Sequence, residues 1–100
     1  FLVMLLSNSK HVLGISEVSI GSTNGTVANI KEIFQLALRT NACSIIIAHN
    51  HPSGNLNPSD NDKELTNKIS KGCELLDMKL VDHLILTSEG YSSFSDEGLI

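Results

Sequence analysis

The sequence holds no run of lysine or arginine, and aromatic residues make up only 4% of its 100 positions. With a formal net charge of −4, it lacks the basic surface on which strong sequence-independent DNA binding rests. Lys63, Lys68 and Lys71 are spread among acids along one stretch and read as a solvated helix face. No apolar run approaches the ~20 residues needed to span a bilayer, so no membrane partner is expected. Phe1 to Leu6 is apolar but short, with no basic flank and no cleavage pattern, which excludes a signal peptide. The chain has no initiating Met and opens inside that apolar run, so it is read as a fragment truncated at its N-terminus. Cysteine is equally sparse. Cys43 and Cys73 lie outside any C-x-x-C pair and among apolar neighbours, so both are read as reduced core thiols, a usage that fits a cytoplasmic protein.

Against these absences stands an apolar content of 41%, enough in 100 residues for one modest core. A single domain over 1–100 is expected, without repeats or linkers. Phe1 to Leu6 reads as a buried strand. After the turn Ser7-Asn8-Ser9-Lys10, His11 to Ile20 resumes a strand pattern and gives a hairpin, with Gly14 marking a bulge or a close backbone approach. His11 itself is read as a solvated strand end. Gly21 to Gly25 is a loop. Asn29 and Glu32 have capping-box spacing, and Ile30, Ile33, Phe34, Ala37 and Leu38 mark one face of the helix that follows, up to Asn41.

Ser44 to Ala48 is a second buried strand. Ser59 opens a second helix with apolar face Leu65, Ile69, Cys73 and Leu76, and Gly72 allows close packing. Leu80 to Leu86 is a third buried strand, and Tyr91 to Phe94 returns at an edge. The order β-β-α-β-α-β-β predicts an α/β (α+β) domain, a mixed central β-sheet flanked by helices.

The chemistry concentrates in AHNHPSGNLNPSDND, Ala48 to Asp62, directly after an Ile triplet. A strand has a period of two, so His49 and His51 point to one side if strand geometry continues through Asn50. Ligands of open α/β sheets gather beyond the carboxyl ends of strands. Pro52, Gly54 and Pro58 stiffen a turned loop that can bring Asp62 back over the imidazoles. Two His and one carboxylate are a zinc-ligand set that leaves one position open, the pattern of a catalytic site. An H-x-H pair alone is weak evidence, however, and Ser59-x-x-Asp62 is also a capping box that would explain both residues without a metal. The two readings are compatible for Ser59 and compete for the carboxylate of Asp62. His83 reads either as a buried imidazole held by a hydrogen bond or as support behind the site, with Asp82 as its neighbour.

His49-x-His51-Pro52 followed by Ser59-x-x-Asp62 resembles the second half of the JAMM motif of MPN/JAB-type metalloproteases. The longer string is more specific: His49-Asn50-His51-Pro52-Ser53-Gly54, Pro58-Ser59, Asp62 and Leu80-Val81-Asp82-His83 resemble the RadC-like branch. The resemblance extends to Phe94-Ser95-Asp96-Glu97-Gly98-Leu99 and so covers nearly all the chain. It implies an MPN/JAB-like (cytidine-deaminase-like) architecture and one Zn²⁺ per chain held by His49, His51 and Asp62. It implies that Ser59 positions water or steadies an oxyanion. The implied activity is metal-assisted hydrolysis of a peptide or isopeptide bond, with a peptide or protein as partner.

The sequence departs from the family pattern at one point. The general-base Glu of the family lies at the start of the strand resembling Phe1 to Leu6, and no Glu stands there. The match suggests that it sits upstream of Phe1. Glu17, the nearest carboxylate on the following strand, shares a face with Leu13 and Ile15 from which it could point inward, and is a weak candidate substitute. Loss of such a base typically costs ~10²–10⁴ in rate. The alternative functions are a non-catalytic MPN-type binding module beside DNA-processing partners, and a scaffold in which His49 and His51 serve only the loop.

Overall fold

A computed structural model describes residues 1–18 and 28–100. The end of the second strand near Ile20 and the Gly21 to Gly25 loop lie outside the described residues. The elements are β1 (Leu2–Leu6), β2 (Val12–Glu17), α1 (Ile30–Arg39), β3 (Ser44–Asn50), α2 (Asp60–Leu75), β4 (Lys79–Thr87) and β5 (Gly90–Ser93). They form a mixed sheet of five strands in the order β2-β1-β3-β4-β5. Among the described strands only β3 and β4 run parallel, joined by α2; the other neighbours are antiparallel. This is the expected mixed α/β architecture.

Local chemistry sets the boundaries. Asn29 caps α1 by accepting from the Glu32 backbone N–H at 3.2 Å. Asn41, at φ 55°, takes the left-handed conformation that Asn tolerates and ends the helix. Gly14 sits beside a bulge: Leu5 pairs with Gly14 but Leu6 pairs with Val12, which leaves Leu13 without a partner. β3 runs two residues further than its apolar stretch because pairing with β4 continues to Asn50, opposite Leu86.

Both helices pack on the same face of the sheet. Val3, Leu5, Ile45 and Ile47 share one core with Ile33 and Ala37 of α1 and with Leu65, Ile69 and Cys73 of α2. Each of these larger side chains contributes about 1.5–3 kcal/mol by leaving water. The helices touch at Gly72, where a Cβ would stand 2.6 Å from the Phe34 ring, so only glycine permits this approach. The opposite face of the sheet carries Leu2 and Ile15, which are exposed.

Four expectations are corrected. Cys43 is exposed while Cys73 is buried, because Ala42 and Ser44 on either side take the inward positions. Leu38 is exposed, since the buried stripe of α1 is only as wide as Ile33 and Ala37. Leu76 is exposed because it is the C-cap of α2, beyond the packed face. Glu17 is exposed opposite Leu2, and the face it shares with Ile15 is the one without helices, so it cannot reach the end of β3 from inside. Among the described residues no helix is long and apolar enough to cross a membrane.

Candidate metal centre

Strand periodicity delivers the first two groups. With β3 regular through Asn50, His49 and His51 project to one side, and their Nε2 atoms are 3.0 Å apart. His49 is buried beneath Phe1, whose ring stacks on it at 5.8 Å; His51 is partly open to solvent. The chain then turns at Gly54, with φ +82° and its N–H bonded to the His51 carbonyl at 3.0 Å. The next carbonyl along the loop fixes the His51 ring: Nδ1 donates to Asn55 O at 2.8 Å. A neutral His51 so held keeps its lone pair on Nε2, facing His49.

The third group comes from the start of α2. Ser59 Oγ accepts from the Asp62 N–H at 3.0 Å, and Asp62 Oδ2 accepts from the Ser59 N–H at 2.9 Å, a complete capping box. Turned back in this way, the Asp62 carboxylate is fully buried against the strand tip. Oδ1 lies 3.1 Å from His49 Nε2, and Oδ2 lies 3.1 Å from His51 Nε2. The capping half of the expected competition is realised, and it takes Oδ2 alone. Oδ2 serves the cap and still faces His51, while Oδ1 is buried without a hydrogen-bond donor.

Electrostatics match this placement. Burial alone would raise the pKa of Asp62, yet the Ser59 backbone N–H and hydroxyl, with the two imidazoles, hold it below the ordinary aspartate value. Burial pulls His49 down against the attraction of Asp62, which favours the neutral, metal-binding form. His83 is pushed down by burial to about 4. It stands behind His49, with its Nε2 2.8 Å from His49 Nδ1 and its Nδ1 2.6 Å from Thr66 Oγ1. Phe94 stacks on its ring at 4.4 Å.

Asp82 does not belong to this group. It accepts from the His83 and Ser95 N–H groups and from the Ser93 hydroxyl, and so ties β4 to the turn after β5. Adjacent residues of a strand face opposite sides, which is why Asp82 and His83 part company. His11 is exposed, as expected for a strand end. Thr66 escaped the sequence reading. Its only signal was a position four residues after Asp62, on the same helix face.

The donor set suits a divalent ion. His49, His51 and Asp62 are a cluster that could hold a metal, with ligand atoms all within 4.8 Å of one another. Bonds of ~2.0–2.1 Å in a tetrahedron require ligand atoms about 3.3 Å apart. The two imidazole Nε2 atoms, 3.0 Å apart, approach that edge, and each has a different Asp62 oxygen at 3.1 Å. A buried carboxylate oxygen without a hydrogen bond, 3.1 Å from an imidazole nitrogen, is a place that suits a cation.

Residues 1–99 match the sequence model of the RadC-like JAB domain. The chain belongs to the RadC-like JAB family. A UPF0758 protein of Flavobacterium johnsoniae is 46% identical over 99 residues, which cover 99% of this chain and 43% of the relative. Another from Fusobacterium nucleatum is 44% identical over 100 residues, covering 100% of this chain and 43% of the relative. A third, from Desulfitobacterium hafniense, is 40% identical over 100 residues, covering 100% of this chain and 44% of the relative. This RadC-like JAB chain therefore spans less than half the length of these relatives.

Access to the cluster is from the His51 side. A groove of about 360 Å³ is lined by His51, Pro52, Asn55, Pro58 and Ser59. A second, of about 290 Å³, runs past His51 and Gly54 to Leu86 and Thr87. A larger groove, about 610 Å³, lies between Pro58 and Tyr91 and includes none of the three clustered residues. The two smaller grooves are the ones relevant to chemistry at the cluster, because they meet at one of its members.

Proposed function

We propose that this domain is the catalytic unit of a zinc-dependent hydrolase that cleaves an amide bond in a peptide or protein. The observation that carries the reading is the convergence of two imidazole Nε2 atoms and the unpaired, buried Asp62 Oδ1, next to grooves open to solvent. His49, His51 and Asp62 would hold Zn²⁺, leaving one position for water or substrate. When bound, zinc supplies Lewis acidity toward the amide carbonyl and acidifies water toward neutral pH.

The remaining steps belong to the chain. The capping box holds Asp62 turned back toward the two imidazoles before any ligand arrives. Ser59 Oγ accepts from the Asp62 N–H and lines the adjoining groove, where its hydroxyl would turn from the Asp62 carboxylate to meet an oxyanion. Such a donor can be worth ~3 kcal/mol in other hydrolases. The stiff His51–Pro58 loop walls one side of the substrate groove.

Neither Glu17 nor Asp82 faces the cluster, so neither is assigned the role of general base. The start of β1 runs antiparallel beside the end of β3, with Leu2 opposite Ala48 and Phe1 stacked on His49. A carboxylate immediately ahead of Phe1 in the longer protein would thus enter at the cluster, and we assign it that role. The test is zinc content and cleavage of a peptide library by the protein extended upstream of Phe1. The expected result is about one zinc per chain and cleavage that falls ~10²–10⁴-fold when the upstream carboxylate is removed. Full-length protein that takes up no zinc after loading refutes the reading.

The orientation of Asp82 and Glu17, both turned away from the cluster, favours a second reading: a zinc-holding binding module without hydrolysis. Its net charge of −4 argues for a protein partner over direct contact with duplex DNA. It predicts bound zinc and an uncut peptide library even in the extended protein.

A further inference from the structure

We infer that Thr66 and His83 form a hydrogen-bond relay that fixes the tautomer of His49, so that its Nε2 lone pair faces the candidate metal position. The inference rests on the metal-site reading above and adds two positioning residues to it.

The direction of the relay is set by one atom. Thr66 Oγ1 lies 2.9 Å from the backbone carbonyl oxygen of Asp62, one helical turn earlier. A carbonyl can only accept, so the Thr66 hydroxyl donates to it. The same Oγ1 is 2.6 Å from His83 Nδ1. Its only proton being engaged, Oγ1 must accept there, which places the His83 proton on Nδ1.

His83 is fully buried, between the stacked ring of Phe94 and the edge of Phe1. Such apolar walls favour the neutral ring, and a neutral ring with Nδ1–H carries its lone pair on Nε2. That Nε2 faces His49 Nδ1 at 2.8 Å, so His49 Nδ1 donates. The remaining nitrogen of His49, Nε2, is left as the bare acceptor 3.1 Å from Asp62 Oδ1. The relay therefore begins at the main chain of Asp62 and returns to the side chain of Asp62. It closes a ring through α2, β4 and β3.

A structural role for Thr66 and His83 would be packing alone. A positioning role makes a different claim, because the hydroxyl and the acceptor nitrogen matter at constant shape. Thr66→Val keeps the shape of Thr66 and removes the hydroxyl, while Thr66→Ser keeps the hydroxyl. His83→Phe removes the acceptor, and His83→Gln can offer an amide oxygen in its place.

The experiment has two arms. In metal-free protein, long-range ¹H–¹⁵N correlation spectra assign the protonated nitrogen of His49; Nδ1–H is expected in the parent and in Thr66→Ser. In the second arm, Zn²⁺ affinity is measured by competition with a chromophoric chelator. Thr66→Val and His83→Phe are expected to weaken zinc by about 10–100-fold, the usual cost of losing such an outer partner, with Thr66→Ser and His83→Gln recovering most of it. Protonation of His49 on Nε2 in the parent overturns the inference. So does an affinity within twofold of the parent in folded Thr66→Val and His83→Phe. Parent protein that binds no zinc at all overturns the metal-site reading instead, and the metal-free spectra still decide the tautomer.

Discussion

Asp62→Asn separates the capping duty of this side chain from the metal-ligand duty proposed for it. Asparagine retains an acceptor for the Ser59 N–H, so the cap, worth about 0.5–2 kcal/mol, survives. What is lost is the negative charge and the free oxygen 3.1 Å from His49 Nε2. Zinc at 100 times its Kd stabilises the parent fold by about 2.7 kcal/mol, because the unfolded chain does not assemble the cluster. A domain of this length gains about 0.21 kcal/mol/K of unfolding entropy at Tm, so that stabilisation raises Tm by about 13 °C. The assay is thermal unfolding followed by circular dichroism, with saturating zinc and then with chelator. The expected result is near-equal Tm values for parent and Asp62→Asn in chelator, and a zinc-induced rise in the parent alone. A full rise in the variant refutes the assignment of Asp62 as a ligand. A fall of tens of degrees in chelator refutes the separation of duties.

Gly72→Ala brings a Cβ to 2.6 Å from the Phe34 ring and should destabilise by about 1–3 kcal/mol in urea titrations. With Phe34→Leu in place the same change should turn neutral or stabilising, through the ~1 kcal/mol helix preference of Ala over Gly. Thiol reagents should label Cys43 at once and leave Cys73 untouched until unfolding, since burial pushes the Cys73 thiol up to about 11. Stability of the metal-free protein should fall as pH drops from about 6.5 toward about 4, by an amount on the order of 3 kcal/mol. In that window the unfolded chain binds the proton that folded His83 refuses. Denaturant titrations across the window should lose most of this slope in His83→Gln.

The parts of the fold visible in the sequence were those encoded within a few residues. Period-two geometry placed His49 and His51 together, and the Asn29 and Ser59 caps marked helix starts because capping is a local transaction. Gly14 and Gly72 were legible because a missing side chain signals a bulge or a close approach. What depended on the third dimension was not. Glu17 shares a face with Leu13 and Ile15 as expected, but only the docking of both helices on one side of the sheet shows that this face points to solvent. Cys43 sits among apolar neighbours in sequence and outside them in space. Asp82 and His83 looked like partners by adjacency, although strand alternation turns them to different tasks. Thr66 had no chemical signature until α2 was laid against β4.

The capping role of Asp62, beside the ligand role proposed for it, changes how related sequences should be interpreted. A relative without the ion would still gain from an acidic or amide side chain at this position, because it completes the capping box begun by Ser59. An acid here is therefore a poor marker of retained chemistry. His51 is the better one: it is partly exposed, at the end of a strand, and nothing in the core forces an imidazole at that place.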